Sequence, residues 1–152
     1  MNDFNSYDFP IDWVLQNKLC VGKAPRTKFH IEKLKEQGVK SILSLCSKEE
    51  IKPPDQIENY FICKRKVLPD HKVNREITVK EINESLEIVK EILNHGPVYI
   101  HCVASIERSP LICMAWLIKE CNLNSQQALD YLMDIHPRTN PLPSQLKALN
   151  QL

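Results

Sequence analysis

The chain has 152 residues, 43% of them hydrophobic, which is enough for one compact domain with its own core, so we expect residues 1–152 to form a single domain. Twenty Lys and Arg residues stand against 19 Asp and Glu residues, a formal net charge of +1. This balance excludes a global basic field that would attract nucleic acid or anionic lipid. We therefore expect no extended nucleic-acid surface and no membrane contact, and any anion site must be local.

The first 13 residues lack the basic and apolar regions of a signal peptide, and no apolar run approaches about 20 residues. We expect a cytoplasmic monomer. The six cysteines lie mostly in apolar stretches, which indicates reduced thiols rather than a disulfide framework. None of them form a C-x-x-C pair or stand at ligand spacing from a histidine, so we expect neither a metal site nor a cofactor.

Strand-like and helix-like hydrophobic periods alternate along the chain, which predicts strands interleaved with helices. In chain order we expect strands at 19–22, 41–46, 60–67 and 98–102, and helices at 27–37, 78–95, 110–121 and 125–135. The proline-rich stretches near 53–54 and at 137–143 are expected to be turns. The fold class is then α/β, with a central, mostly parallel, twisted sheet of about four or five strands and helices on both faces.

Two of the helices have clear sequence signals. Thr78 and Glu81 form a capping box, and Gly96 with Pro97 ends that helix before the next strand. The segment 110–121 is apolar nearly all round, so it is expected to lie in the core.

The segment V-Y-I-H-C-V-A-S-I-E-R-S-P, residues 98–110, carries the chemistry. An apolar strand ends in Cys102, and a helix begins seven or eight residues later. Such a loop can turn successive backbone N–H groups inward, and the positive end of the helix adds to the field, so a phosphate can be bound there. Arg108 supplies a bidentate fork for two phosphate oxygens. The same field favours the thiolate form of Cys102, a competent nucleophile.

At these residues the chain resembles the dual-specificity branch of the protein tyrosine phosphatase superfamily, in particular its small atypical members. The signature of that family is His-Cys, five residues, Arg, then Ser or Thr, and His101, Cys102, Arg108 and Ser109 match it. Further segments look like the family's: W-V-L-Q-N-K-L-C-V-G near the start, S-I-L-S-L-C in the second strand and R-T-N-P-L-P-S-Q-L near the end. The resemblance covers most of the chain and implies a phosphatase-like fold.

The resemblance also implies roles for individual residues. The family takes its general acid from an Asp about thirty residues before the cysteine, and Asp70, in the loop V-L-P-D-H, lies 32 positions before Cys102. Ser109 would stabilise the thiolate when water breaks the phosphocysteine. His101 would support the loop without reacting.

The loop departs from the family pattern at one position, where Ser105 replaces the usual glycine. If that position requires a positive φ, Ser105 stores strain on the order of 1 kcal/mol. Glu107 puts a carboxylate beside an anion site, so it should point to solvent or contact a basic group, and it would disfavour highly anionic substrates. The whole phosphate-binding loop is expected to comprise Val103, Ala104, Ser105, Ile106, Glu107 and Arg108.

The expected activity is hydrolysis of phosphate monoesters through a phosphocysteine, without a metal. The partner would be a phosphorylated protein or a small phosphorylated substrate. Because the loop lacks the lysines that would suggest a phosphoinositide, phosphotyrosine or phosphoserine/threonine proteins are the default. Two alternatives stay open: a catalytically weak phosphate-binding module, which the glycine-free loop makes conceivable, and a rhodanese-like sulfurtransferase, which would need neither Asp70 nor Ser109.

Cys46 ends its predicted strand much as Cys102 ends its own. If the two strands are parallel neighbours, both cysteines emerge at the same edge of the sheet. By resemblance to phosphatases with a resolving cysteine at this place, Cys46 is a candidate to capture oxidised Cys102 as a disulfide. The alternative is that Cys46 is only a small apolar strand residue.

Overall fold

The computed structural model describes residues 8–152. Its five strands are β1 (Asp12–Leu15), β2 (Leu19–Gly22), β3 (Ser41–Ser44), β4 (Ile62–Arg65) and β5 (Val98–His101). Its five α-helices are α1 (Lys28–Glu36), α2 (Val79–Ile92), α3 (Arg108–Cys121), α4 (Ser125–Ile135) and α5 (Pro143–Leu149), and short 3-10 turns lie at Ile57–Asn59 and Leu93–His95.

One five-stranded sheet has the order β1-β2-β5-β3-β4. β2, β5, β3 and β4 are parallel, and β1 alone is antiparallel to its neighbour β2. β5 is the central strand, with Gly22 of β2 and Ser44 of β3 both in register with His101. The expected mostly parallel α/β sheet is confirmed. The carboxyl ends of four strands therefore meet at one edge, where parallel sheets place their binding sites.

The two faces of the sheet bury separate clusters. On one face, Ile31 and Leu34 of α1 pack with Ile42 and Tyr99. On the other face, residues of α2, α3, α4 and α5 pack against strand residues such as Leu43. Helices thus cover both faces, as expected. Within residues 8–152 no helix has both the length and the apolar character needed to cross a bilayer.

The helix signals read from the sequence are present in the structure. Thr78 and Glu81 make both hydrogen bonds of a capping box at the start of α2. α3 buries every residue from Arg108 to Leu117. It begins two residues earlier than expected, so Arg108 lies in its first turn.

Two elements of the structure, β1 and α5, were not predicted from the sequence. β1 is an edge strand of four residues with only Val14 buried, so it lacks the alternation that predicts a strand. α5 begins at Pro143, in the stretch expected to be a turn, because proline fits the first position of a helix, where its missing N–H is not needed.

Candidate active site

The signature loop joins the central strand to the buried helix. Cys102 directly follows β5, and its side chain is buried, with the residue only 3% exposed. Its Sγ lies 3.3 Å from the Ser109 Oγ in the first turn of α3. The positive end of the α3 dipole therefore points at the loop that contains the thiol.

Carbonyl groups of the loop accept hydrogen bonds from residues outside it, whereas its amides have no acceptor among residues 8–152. The Val103 carbonyl accepts a hydrogen bond from the Ala24 N–H at 3.1 Å, and the Ile106 carbonyl accepts one from the Asn140 N–H at 2.8 Å. The peptide N–H groups of residues 103–107 have no hydrogen-bond acceptor among residues 8–152. Successive amides left in this way form a nest that can receive the oxygens of a tetrahedral anion.

Arg108 is buried and held in one orientation. Its Nη1 and Nη2 donate to the two carboxylate oxygens of Glu50 at 3.2 and 2.8 Å, so the pair is bidentate. Nη1 also donates to the Leu68 carbonyl at 3.0 Å. The Nε–H and the second N–H of Nη2 have no acceptor among residues 8–152, which leaves a second bidentate edge for two oxygens of a bound phosphate.

The Glu50 carboxylate was missed by the sequence analysis. The hydrogen bonds that Arg108 donates lower the pKa of Glu50, so the carboxylate stays ionised. A signal did exist: Glu50 follows β3, the parallel neighbour of β5, and residues that follow neighbouring parallel strands meet at one edge of the sheet.

Asp70 lines the same cleft as Cys102, a cavity of about 440 Å³. Its Oδ1 accepts a hydrogen bond from the Lys72 N–H at 2.8 Å, which fixes the turn that contains it. Two residues earlier the loop is anchored by Leu68, whose N–H donates to the Leu45 carbonyl. The structure therefore brings the candidate acid and Cys102 to one cleft, and the acid role of Asp70 stays a prediction.

Glu107 also faces this cleft, and its carboxylate is largely buried. Its Oε2 lies 3.6 Å from the Nδ1 of His71, which follows Asp70. Its Oε1 is buried with no hydrogen-bond partner among residues 8–152. Of the two positions expected for this side chain, the contact with a basic group is the one observed.

His101 is neutral and holds the end of β5. Its Nδ1 lies 2.8 Å from the Cys102 carbonyl, which can only accept, so Nδ1 carries the hydrogen and Nε2 accepts from the Ser44 hydroxyl at 2.7 Å. Burial is the main cause that lowers the pKa of His101 to about 4. The ring is therefore a fixed neutral bridge between β5 and β3.

Ser105 has a φ of +60°, so the position does require the left-handed conformation. Its hydroxyl is nevertheless fully used: it lies 2.9 Å from the Ser109 hydroxyl and 3.0 Å from the Nε2 of His136. The strain expected from the sequence is present, but the serine also has specific partners. His136, distant in sequence and without a motif, could not have been assigned to this site beforehand.

Cys46 follows β3 at the same edge as Cys102 and is buried. Burial raises the pKa of the Cys46 thiol, and the nearby Cys102 raises it further, while Arg108 lowers it. Cys46 lines a smaller cavity of about 150 Å³ together with His101, whereas Cys102 lines the main cleft. All six cysteines are free thiols in the structure.

The profile of the family described as "Dual specificity phosphatase, catalytic domain" matches residues 19–152. The chain belongs to this family. Its membership agrees with the resemblance read from the signature loop, and it argues against the sulfurtransferase alternative.

Individual curated proteins are similar to this chain at different identities and over different lengths. Phosphatidylglycerophosphate phosphatase PTPMT2 of Arabidopsis thaliana is 24% identical over 134 residues, 88% of this chain and 58% of that protein. Dual specificity protein phosphatase 5 of Homo sapiens is 36% identical over 62 residues, 41% of this chain and 16% of that protein. The chain thus spans from about a sixth to under two thirds of the length of these curated relatives.

Among solved structures, the crystal structure of PTPMT1 in complex with PI(5)P superposes with a TM-score of 0.81. It covers 93% of this chain and 92% of that chain at 18% sequence identity. This match establishes the phosphatase fold.

Replacing Glu50 tests whether it orients Arg108. Glu50→Gln keeps the side-chain volume but can accept through one oxygen only, so the guanidinium loses its bidentate partner. We expect kcat to fall about tenfold to a hundredfold, because small misplacements of a transition-state contact are costly, with a smaller change in KM. The matched control is Glu49→Gln at the exposed neighbouring position. Equal kcat values for the two variants would contradict the orienting role.

The low pKa of His101 predicts an acid-dependent loss of stability. Between pH 6.5 and about 4 the unfolded chain binds a proton at this residue and the folded chain does not, so stability falls as the pH is lowered. From pH 7 to pH 5 the loss is about 2 kcal/mol. We expect urea unfolding of His101→Asn to show a correspondingly weaker pH dependence than the wild type or His95→Gln, which alters an exposed histidine. An unchanged dependence would show that His101 is not the responsible group.

The redox role of Cys46 stays a prediction. Peroxide would oxidise Cys102 to a sulfenic acid, and Cys46 would displace water from it to form a disulfide that a thiol reductant cleaves. Because the pKa of Cys46 is raised, the thiolate is scarce near neutrality, and we expect protection to increase with pH. Recovery after peroxide and dithiothreitol should be lower in Cys46→Ser than in wild type or Cys121→Ser. Equal recovery in all three would mean that Cys46 protects nothing.

Proposed function

We propose that the protein hydrolyses phosphate monoesters through a phosphocysteine on Cys102. The observation that carries this proposal is the loop that begins at Cys102. Five of its amides have no acceptor among residues 8–152, Arg108 at its end keeps an open edge, and the Ser109 hydroxyl lies 3.3 Å from the sulfur. Such an arrangement favours a tetrahedral dianion and increasingly so as charge develops on its oxygens. The catalytically weak phosphate-binding alternative would share this binding but not the turnover.

In the first step the Cys102 thiolate attacks phosphorus and the bond to the leaving oxygen breaks. The electron pair goes to that oxygen, and Asp70, in its acid form, donates the proton that the leaving group needs. Asp70 lines the same cleft as Cys102, which supports this role. Arg108 and the loop amides hold the three other phosphate oxygens.

In the second step water attacks the phosphocysteine, and its proton passes to the Asp70 carboxylate. The S–P bond breaks with its electron pair on sulfur, which regenerates the thiolate, and inorganic phosphate leaves. Ser109, 3.3 Å from the sulfur, donates a hydrogen bond to the departing thiolate.

For the substrate we propose phosphotyrosine or phosphoserine/threonine in proteins. The cleft has the carboxylates of Glu50, Asp70 and Glu107 against the cations of Arg108 and Lys72. This excess of carboxylates disfavours headgroups with several phosphates. The relatives named for phosphatidylglycerophosphate and the PTPMT1 complex with PI(5)P make phospholipids the competing class. A monomer in the cytoplasm is part of the same proposal.

The acid role of Asp70 is tested by varying the leaving group. Asp70→Asn should slow hydrolysis of alkyl or phenyl phosphates by roughly 10²–10⁴, and slow aryl phosphates with weakly basic leaving groups much less. Asp55→Asn, in an exposed turn, is the control. Cys102→Ser should abolish turnover in both assays while retaining phosphate binding. A uniform loss across leaving groups would make Asp70 structural, and turnover by Cys102→Ser would contradict the phosphocysteine.

The substrate class is tested by comparing kcat/KM for phosphotyrosyl and phosphothreonyl peptides with kcat/KM for phosphatidylglycerophosphate and PI(5)P in detergent micelles. We expect the peptides to be preferred. A preference for either lipid would overturn the protein-substrate proposal and leave the phosphocysteine mechanism intact.

A further inference from the structure

His136 is a buried imidazole that joins the edge of the sheet to the signature loop. It caps the end of α4 and is only 1% exposed. Its Nδ1 lies 2.5 Å from Oδ2 of Asp12 on β1, and its Nε2 lies 2.7 Å from the Ser105 carbonyl. α4 is also held to β1 by Tyr131, whose hydroxyl donates to the Val14 carbonyl at 2.7 Å.

The partners of His136 fix where its hydrogens lie. A carbonyl oxygen can only accept, so Nε2 must carry a hydrogen, and the short contact between Nδ1 and the Asp12 carboxyl group requires one proton between those two atoms. The ring therefore donates through Nε2 toward the loop and shares a proton with Asp12 at Nδ1. An ionised partner makes both hydrogen bonds stronger than neutral ones.

The hydrogen bonds continue from this ring to the catalytic sulfur. The Ser105 Oγ lies 3.0 Å from the same Nε2 and 2.9 Å from the Ser109 Oγ, which lies 3.3 Å from the Cys102 Sγ. Because Ser105 accepts from His136, its own hydrogen is free to donate to Ser109. The Ser109 hydrogen is then directed at the sulfur, and each hydroxyl polarises the next.

From this geometry we infer that Asp12, His136 and Ser105 are positioning residues that stabilise the Cys102 thiolate through Ser109. The four groups form one directed chain from the β1 edge of the sheet to the nucleophile. The inference rests on the proposed phosphocysteine mechanism for its catalytic consequence, but the effect on the thiol exists without substrate. In catalysis the chain acts when sulfur leaves phosphorus and its charge returns.

This chain also accounts for a serine at a position that favours glycine. A left-handed φ costs a residue with a side chain on the order of 1 kcal/mol, and glycine would avoid that cost. Glycine would also break the chain, because nothing else among residues 8–152 lies within hydrogen-bond distance of both the His136 Nε2 and the Ser109 hydroxyl.

Two variants at Ser105 separate the hydroxyl from the backbone. Ser105→Ala removes the hydroxyl and keeps the strain, whereas Ser105→Gly removes both and is the variant whose backbone suits the site. His136→Gln removes the imidazole, and Asp12→Asn removes the carboxylate, at the end of the hydrogen-bonded chain that lies away from Cys102. The control is Ser85→Ala on α2, which loses a buried hydroxyl that donates to the Glu81 carbonyl outside the cleft.

The first readout is the pH dependence of alkylation of Cys102 by iodoacetamide, followed by mass spectrometry of its peptide in the folded protein. At pH values below the midpoint of the wild-type rate profile, we expect alkylation to be about threefold to tenfold slower in both Ser105 variants and in His136→Gln. The decrease should be smaller in Asp12→Asn. The other ionisable groups that line the Cys102 cleft are unchanged in every variant: Glu50, Asp70, His71, Lys72, Glu107 and Arg108.

The second readout is the kinetics of a chromogenic aryl phosphate. Loss of the chain should lower kcat with little change in KM and enlarge the burst of aryl product, because breakdown of the phosphocysteine becomes slower. If Ser105→Gly and Ser105→Ala both alkylate like wild type and Ser85→Ala, the inference is overturned. If the wild type hydrolyses no phosphate ester but the alkylation shift is present, the proposed function fails and the directed chain stands.

Discussion

Five consecutive peptide N–H groups with no acceptor among residues 8–152 are unfavourable in a folded chain, and the surrounding structure holds them in that state. The Ala24 and Asn140 amides fix the loop's carbonyls from opposite sides, and α3 fixes its end. Because the carbonyls are occupied outside, the amides cannot turn away to find partners in the loop itself. The anion site is therefore a property of the neighbours as much as of the loop.

Arg108 is a side chain whose donors are likewise held partly open by hydrogen bonds made elsewhere. Burial of a guanidinium is costly unless its donors are used, and Glu50 together with the Leu68 carbonyl uses one end of the fork. The pairing neutralises the charge in the resting protein and leaves one edge open. The carbonyl of Leu68 also ties Arg108 to the segment that carries Asp70, so the clamp and the candidate acid share one framework.

The sequence predicted the parts that depend on local chemistry. The parallel sheet and the position of Cys102 after its central strand follow from periodicity and one motif, and the family resemblance pointed to Asp70, which lines the same cleft. Glu50 was missed although it follows a parallel neighbour of the central strand. His136 could not be assigned, because its role depends on which side chains the fold brings together over a long separation in sequence. Ser105 shows the limit best: its backbone conformation could be anticipated, whereas the partners of its hydroxyl could not. β1 was not predicted, because an edge strand with one buried residue shows no alternation of apolar and polar residues.

β1 lies outside the stretch that the family profile matches, which starts at residue 19. It is joined to β2 by a turn of three residues, with the Lys18 N–H bonded to the Leu15 carbonyl and Asn17 in the left-handed conformation. A hairpin of such low contact order can close early while the chain folds. Asp12 would then be in place before His136, 124 residues further along the chain, reaches it with α4 and completes the surroundings of the nucleophile.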